Sequence, residues 1–284
     1  MRIAFRFVLV LCIVGLSWFQ FGQHRSFGEL QQRVTDNFDA RPAREILMLG
    51  NSRTYYNHMP QMLREIADSA GSPEKYQITQ QTPAGSSLEL LWDSSYTQQL
   101  LQQTWDDAIV QAESRAFSDP GLTESFETYG PKLLSAIKLR RAKPDLVVNW
   151  SYEPTAANPF SETQRSSYQN EIDRGHELIA QKSNAHEIKL GTVWNDLRSN
   201  HPEIAMTVDG NHPTLAGSYL YALLLYRDLS KGSDIENVKF VPNGLSVQTA
   251  LIIKNVVARY SPEVWGYRGS LALRDAQRSA VATR

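Results

Sequence analysis

The sequence predicts an α/β protein built on a parallel sheet that helices cover on both faces. Short apolar runs alternate along the chain with segments whose apolar residues recur at helical spacing. The runs are apolar throughout, as strands buried on both faces must be. The first run also leads straight into Gly50-Asn51-Ser52. In open parallel sheets ligands bind beyond the carboxyl ends of the strands, so that turn is where chemistry is expected.

In chain order, Glu45 to Leu49 is the first expected strand, and Pro60 to Ala70 the first long helix, with Met62, Leu63, Ile66 and Ala70 on one face. Tyr76 to Thr82 reads as a strand and Leu88 to Leu101 as one helix. Ala108 to Gln111 is strand-like, and Tyr129 to Arg141 is helical through Leu133, Leu134, Ile137 and Leu139. Asp145 to Trp150 is a further buried strand. Glu171 to Gln181 reads as helix, Glu187 to Leu190 as strand, and Leu215 to Leu229 as a strongly apolar helix.

Ahead of this region, Arg2 and Arg6 precede an almost unbroken apolar run from Phe7 to Phe19. A basic start followed by such a run is the layout of an export signal, and the run falls short of the about 20 apolar residues of a full span. Residues 1–22 are therefore expected to be a signal peptide or a single uncleaved membrane anchor. Either places the globular part outside the cytoplasm, periplasmic or secreted, and an uncleaved segment attaches it to the membrane. Residues 23–43 read as a linker, 44–232 as the main domain, 233–264 as a C-terminal helical extension and 265–284 as a flexible tail.

Composition removes several classes of function. With 42% hydrophobic and 21% charged residues, the 284-residue chain can bury a core. Lys and Arg (29) balance Asp and Glu (30) to a net charge of −1, against the basic excess of a dedicated nucleic-acid binder. The one cysteine, Cys12, lies in the apolar N-terminal run and can form neither an internal disulfide nor a cysteine-rich zinc site. The six histidines form no HExxH or other ligand pair, and no P-loop or GxGxxG is present. Neither metal nor organic cofactor is expected.

A serine at a strand's carboxyl end, beside a glycine and opening a helical segment, is well placed as a nucleophile, though the same tripeptide also serves as an ordinary turn with a helix cap. Serine needs a base, and histidine suits that task when a carboxylate orients its other ring nitrogen. Asp209-Gly210-Asn211-His212-Pro213, just before the Leu215 helix, offers both groups across an Asp-Gly turn. An α/β-hydrolase elbow would require glycine where Thr54 stands.

The order of these pieces resembles the SGNH (GDSL-like) hydrolase superfamily. Its first block is matched by Gly50-Asn51-Ser52 and its last by Asp209-Gly210-Asn211-His212. A glycine after the second strand, whose N–H joins the oxyanion hole, is matched by Gly85 in Pro83-Ala84-Gly85-Ser86-Ser87. The usual Gly-x-Asn-Asp block is absent. Trp105 to Ser114 is instead similar to a branch with a Trp-Asp…Val-Val-Leu-Gln-x-x-Ser run, which by resemblance puts Gln111 in place of the missing Asn as an oxyanion donor. Asn149-Trp150-Ser151-Tyr152 resembles that branch's next strand end, where a Trp borders the pocket.

The resemblance spans Glu45 to Leu229 and implies a three-layer α/β/α, flavodoxin-like fold and ester hydrolysis. It implies Ser52, His212 and Asp209 as catalytic residues, with Ser52, Gly85 and Gln111 forming the oxyanion hole. The expected substrate is a small-molecule or carbohydrate ester, an acetylated carbohydrate first among them. The alternative is a non-catalytic or acyl-transferring envelope protein that keeps the fold to bind or modify a polysaccharide. Arg53, Tyr55, Tyr56 and His58 either line the acyl or alcohol site or pack the helix. Trp92 and Trp150 read as core residues in preference to a sugar platform.

Overall fold

The computed structural model describes residues 39–231 and 235–260. The expected export segment at 1–22 with its Cys12, residues 23–38 of the expected linker, and the tail at 265–284 lie outside the described residues.

Five parallel strands form one sheet: β1 (Ala43–Leu49), β2 (Lys75–Gln81), β3 (Asp107–Gln111), β4 (Lys143–Val147) and β5 (His186–Ile188), in the order β2-β1-β3-β4-β5. The apolar runs serve two faces at once, because successive side chains of a strand point to opposite sides. Ile46 and Met48 of β1 face one layer, built by α2 (Met59–Ser69), α7 (Leu190–Asn200), α8 (Leu215–Leu229) and α9 (Val247–Arg259). Leu47 and Leu49 face the other, built by α3 (Leu88–Asp93), α4 (Ser95–Leu100), α5 (Pro120–Leu139) and the end of α6 (Glu162–Ser183). The fold is the expected three-layer α/β/α sandwich.

The elements differ from the sequence reading where side chains compete for backbone groups. The helix expected over Leu88 to Leu101 is two, because the Ser94 side chain accepts the Thr97 N–H and starts a second helix. Helix α5 begins earlier than expected, capped by Asp119 with Pro120 in its first turn, and α6 begins at a capping box of Ser161 and Gln164. The strand expected to reach Leu190 stops at Ile188, and Leu190 opens α7. Pro213 lies outside α8, which Thr214 caps.

Helix α8 is buried on nearly every side, since it packs against α2 and α9 within its layer. Ala250, Ile253, Val256 and Val257 of α9 belong to the same core cluster, so this helix of the expected extension helps to close the main core.

Charged side chains gather at the opposite end of the sheet from the carboxyl ends of the strands. Arg44 Nε meets Asp107 at 2.6 Å, and His186 Nε2 meets Asp228 at 2.6 Å. Asp145, His186 and Asp228 are the one group among the described residues with ligand atoms close enough for a metal, within 4.8 Å of one another. The Lys143 ammonium already stands there, 2.9 Å from Asp145 and 3.4 Å from Asp228. Burial pushes the Asp145 carboxyl up. Burial opposes ionisation of Asp228 as well, but the hydrogen bond from His186 and the nearby charges outweigh it and hold that carboxyl down.

His176 on α6 packs against Phe117 and Phe126, and burial pushes it down to about 4 from 6.5, with the Ile172 carbonyl opposing and Lys189 assisting. The unfolded chain takes up this proton below pH 6.5, whereas the folded chain refuses it until about pH 4. This contribution is therefore fully present above pH 6.5 and is lost as pH falls toward 4. His176→Leu is expected to flatten the fall of stability across that window, read as urea midpoints at a series of pH values. Equal slopes for both proteins would contradict this account.

Candidate active site

The site lies where β1 ends, with β2 on one side of it and β3 on the other. Crossovers leave in opposite directions from that point and open a crevice. The chain turns at Gly50-Asn51 and enters a short helix, α1 (Ser52–Tyr55). A Cβ on Gly50 would stand 2.6 Å from Thr54 Oγ1 and 2.9 Å from Gln111 Oε1, so the turn admits no side chain. Asn51 binds in several directions. Its Oδ1 accepts the Arg53 N–H at 3.2 Å, its N–H donates to Gln111 Oε1 at 3.2 Å, and its Nδ2 donates to Ser86 O at 3.2 Å. The loop that carries Gly85 is thereby tied to the turn that carries Ser52.

The second piece is the loop between α7 and α8. Thr207 and Pro213 form an isolated antiparallel bridge, and Val208 N–H donates to His212 O at 2.9 Å, so residues 208–212 close a tight turn. Gly210 stands in it at φ +83°, and a Cβ there would meet Glu153 O at 2.5 Å. Asp209 Oδ1 accepts the N–H groups of Asn211 at 2.9 Å and His212 at 2.7 Å, an Asx-type turn. Its Oδ2 lies 2.7 Å from His212 Nδ1, and His212 Nε2 lies 2.9 Å from Ser52 Oγ. Partial burial pushes the Asp209 carboxyl up, but its hydrogen bonds from the His212 ring and from the two backbone groups prevail and hold it at about 2. The carboxylate is charged whenever the imidazole has a proton to take.

Ser52, His212 and Asp209 thus form one hydrogen-bonded chain, although 160 residues separate the serine from the histidine. A hydroxyl facing a ring nitrogen, with a carboxylate on the other nitrogen, can deliver an alkoxide to a carbonyl carbon and store its proton. Among the described residues the N–H groups of Ser52 and Gly85 have no hydrogen-bond partner. Gly85 is exposed at φ +68°.

Gln111 departs from its expected place in that hole. It is buried at the end of β3, where its Oε1 accepts from Asn51 N–H and from Thr54 Oγ1 at 2.9 Å. Its Nε2 donates to Ala112 O. Both ends of the amide are engaged beneath the Gly50-Asn51-Ser52 turn, so Gln111 braces the turn. The sequence places a glutamine at the right strand end but carries no signal for which way its amide turns.

Three contacts around the triad were not legible in the sequence. Arg53 is 1% exposed: Nη1 donates to Trp150 O at 2.6 Å, Nε to Asn211 Oδ1 at 3.0 Å, and its carbon lies 4.2 Å from the Trp150 ring centre. One guanidinium thus joins the Gly50-Asn51-Ser52 turn, the segment that follows β4 and the loop of Asp209 to His212. Burial pushes it down to about 10, with nearby Tyr152, Tyr168, Asp209 and Glu153 opposing. Trp150 is fully buried, stacked on Trp194 at 4.1 Å, and donates from Nε1 to Asn211 O at 3.2 Å, which makes it core and no sugar platform. Tyr56 stacks on the His212 imidazole, with centres 4.5 Å apart and planes 15° from parallel.

No protein-family model and no curated protein matches the chain. Solved structures do. A protein of Slackia heliotrinireducens described as an SGNH hydrolase superposes with a TM-score of 0.55 at 25% identity, over 65% of this chain and 98% of that one. A protein of Parabacteroides merdae described as a GDSL-like lipase gives 0.56 at 14% identity, over 68% and 98%. The chain has the fold of the SGNH (GDSL-like) hydrolase superfamily. The acetyl xylan esterase AlAXEase shares that SGNH fold with a TM-score of 0.53 at 14% identity, over 64% of this chain and 98% of its own.

Proposed function

We propose that the protein is an extracytoplasmic serine esterase that hydrolyses acyl esters. The hydrogen-bonded chain from Ser52 Oγ through His212 to Asp209 carries this reading. Ser52 Oγ bonds to the acyl carbon as its proton passes to His212 Nε2, and the carbonyl electrons move onto oxygen. The N–H groups of Ser52 and Gly85 receive that oxyanion, each such donor being worth about 2.7–4 kcal/mol of barrier. The tetrahedral intermediate collapses, the bond to the alcohol oxygen breaks, and His212 returns the proton to the leaving alkoxide. Water then gives a proton to His212, attacks the acyl carbon and releases the acid, while Ser52 recovers its proton. Asp209 stays ionised throughout.

An acetyl xylan esterase shares the fold, which puts acetylated carbohydrate first among the esters to assay. Export rests on the basic and apolar sequence of residues 1–22.

The deciding experiment is labelling with a fluorophosphonate probe, which reports an activated serine. The native chain is expected to label and folded Ser52→Ala is not. A native chain that stays unlabelled would sink the reading. For a labelled chain, products from short acyl esters and acetylated sugars separate hydrolysis from acyl transfer, since acyl passing to sugar faster than to water would make it a transferase.

A further inference from the structure

The stack of Tyr56 on His212 has its own scaffold. Tyr56 directly follows α1 with extended backbone, at φ −52° and ψ 142°. The next two residues, Asn57 (φ 52°) and His58 (φ 56°), both adopt the left-handed conformation that side chains disfavour. Asn57 Nδ2 donates to Pro213 O at 3.0 Å and to Ser218 Oγ at 2.9 Å, and Ser218 Oγ donates to Tyr56 O at 3.3 Å. The unusual turn is therefore bolted to the residues that follow His212, and it holds the Tyr56 ring flat against the imidazole. Among the described residues the Tyr56 hydroxyl has no hydrogen-bond partner, so the ring face is what the turn presents.

Two in-plane hydrogen bonds fix the imidazole in the resting protein, one from Ser52 Oγ and one to Asp209. Acylation removes the first, because the acylated Ser52 oxygen has no proton to donate. The ring then keeps one hydrogen bond and must still aim Nε2 at the attacking water. We propose that Tyr56 is a positioning residue that holds His212 in its catalytic plane while the acyl group is on Ser52, and so serves deacylation above all. The proposal rests on the reading of Ser52, His212 and Asp209 as an esterase triad.

The test is stopped-flow hydrolysis of p-nitrophenyl acetate by native protein, Tyr56→Ala, Tyr56→Leu and Tyr56→Phe. The burst rate reports acylation and the following steady rate reports deacylation. Tyr56 is half-buried, and matching thermal midpoints will show that the variants fold. In Tyr56→Ala and Tyr56→Leu the deacylation rate is expected to fall about 10- to 100-fold, as for a misaimed catalytic group, with acylation and kcat/KM changed far less. Tyr56→Phe should retain native rates in both phases. Native deacylation in Tyr56→Ala, equal losses in both phases, or failure of Tyr56→Phe would each overturn the proposal. Absence of Ser52-dependent fluorophosphonate labelling in the native chain would instead overturn the triad reading itself, which keeps the two failures apart.

Discussion

Replacing His212 by alanine is expected to lower ester hydrolysis on the order of 10⁴- to 10⁶-fold while leaving the protein folded. A serine hydroxyl is a weak nucleophile unless its proton leaves as it attacks, and His212 Nε2, 2.9 Å from Ser52 Oγ, is the acceptor within reach. In the proposed mechanism the same nitrogen returns the proton to the leaving group, so its loss would slow every proton transfer in the cycle. The side chain is part-exposed and makes no core contact that alanine would leave as a cavity, so the thermal midpoint should move little. Asp209→Asn tests the same chain differently. It removes the charge that stabilises the imidazolium while sparing most of the turn, and should cost less than, or as much as, His212→Ala. Steady-state hydrolysis of p-nitrophenyl acetate, with circular dichroism as the folding control, measures both. A folded His212→Ala protein within tenfold of native activity would rule out the triad mechanism.

The second large effect is on stability. Trp150→Ala is expected to cost about 3–5 kcal/mol, the usual range for emptying a buried aromatic site. Trp150 fills the space between the sheet and its covering helices with no exposed surface, lies flat on Trp194 and carries the Arg53 guanidinium on its ring. Its removal also frees Asn211 O and leaves Arg53, fully buried, without its aromatic support. The Asp-His loop should loosen with the core, so activity should fall at temperatures where the variant is still folded. Urea unfolding measures the first effect and initial rates at low temperature the second. A loss below 1 kcal/mol would mean that the neighbours collapse into the space, which the rigid Trp150–Trp194 stack argues against.

The fold was legible because its signal is local. Apolar runs such as Glu45 to Leu49 and the helical spacing of Met62, Leu63 and Ile66 are written in adjacent residues, and their alternation leaves few arrangements other than a parallel sheet between helix layers. The reading differs where one residue reverses a trend, as Ser94 does by capping a new helix inside the segment Leu88 to Leu101. In α7, Leu190, Val193, Trp194 and Leu197 keep helical spacing, but Ile188 of β5 and Leu190 alternate across Lys189 as strand residues do, which hides the boundary.

The site divides along similar lines. Local pattern is enough for the fold and for Gly50-Asn51-Ser52 and Asp209-Gly210-Asn211-His212, because turn residues carry their conformation with them: a glycine with no room for a Cβ, an aspartate that folds back on its own loop. What meets across long separations is set by the packing of the whole chain. That packing turns the Gln111 amide under the Gly50-Asn51-Ser52 turn, sinks Arg53 between Trp150 and Asn211, and lays Tyr56 on His212. Backbone preference is set by a residue and its neighbours, whereas the direction of a side chain is set by its partners, which for Ser52 and His212 stand 160 positions apart.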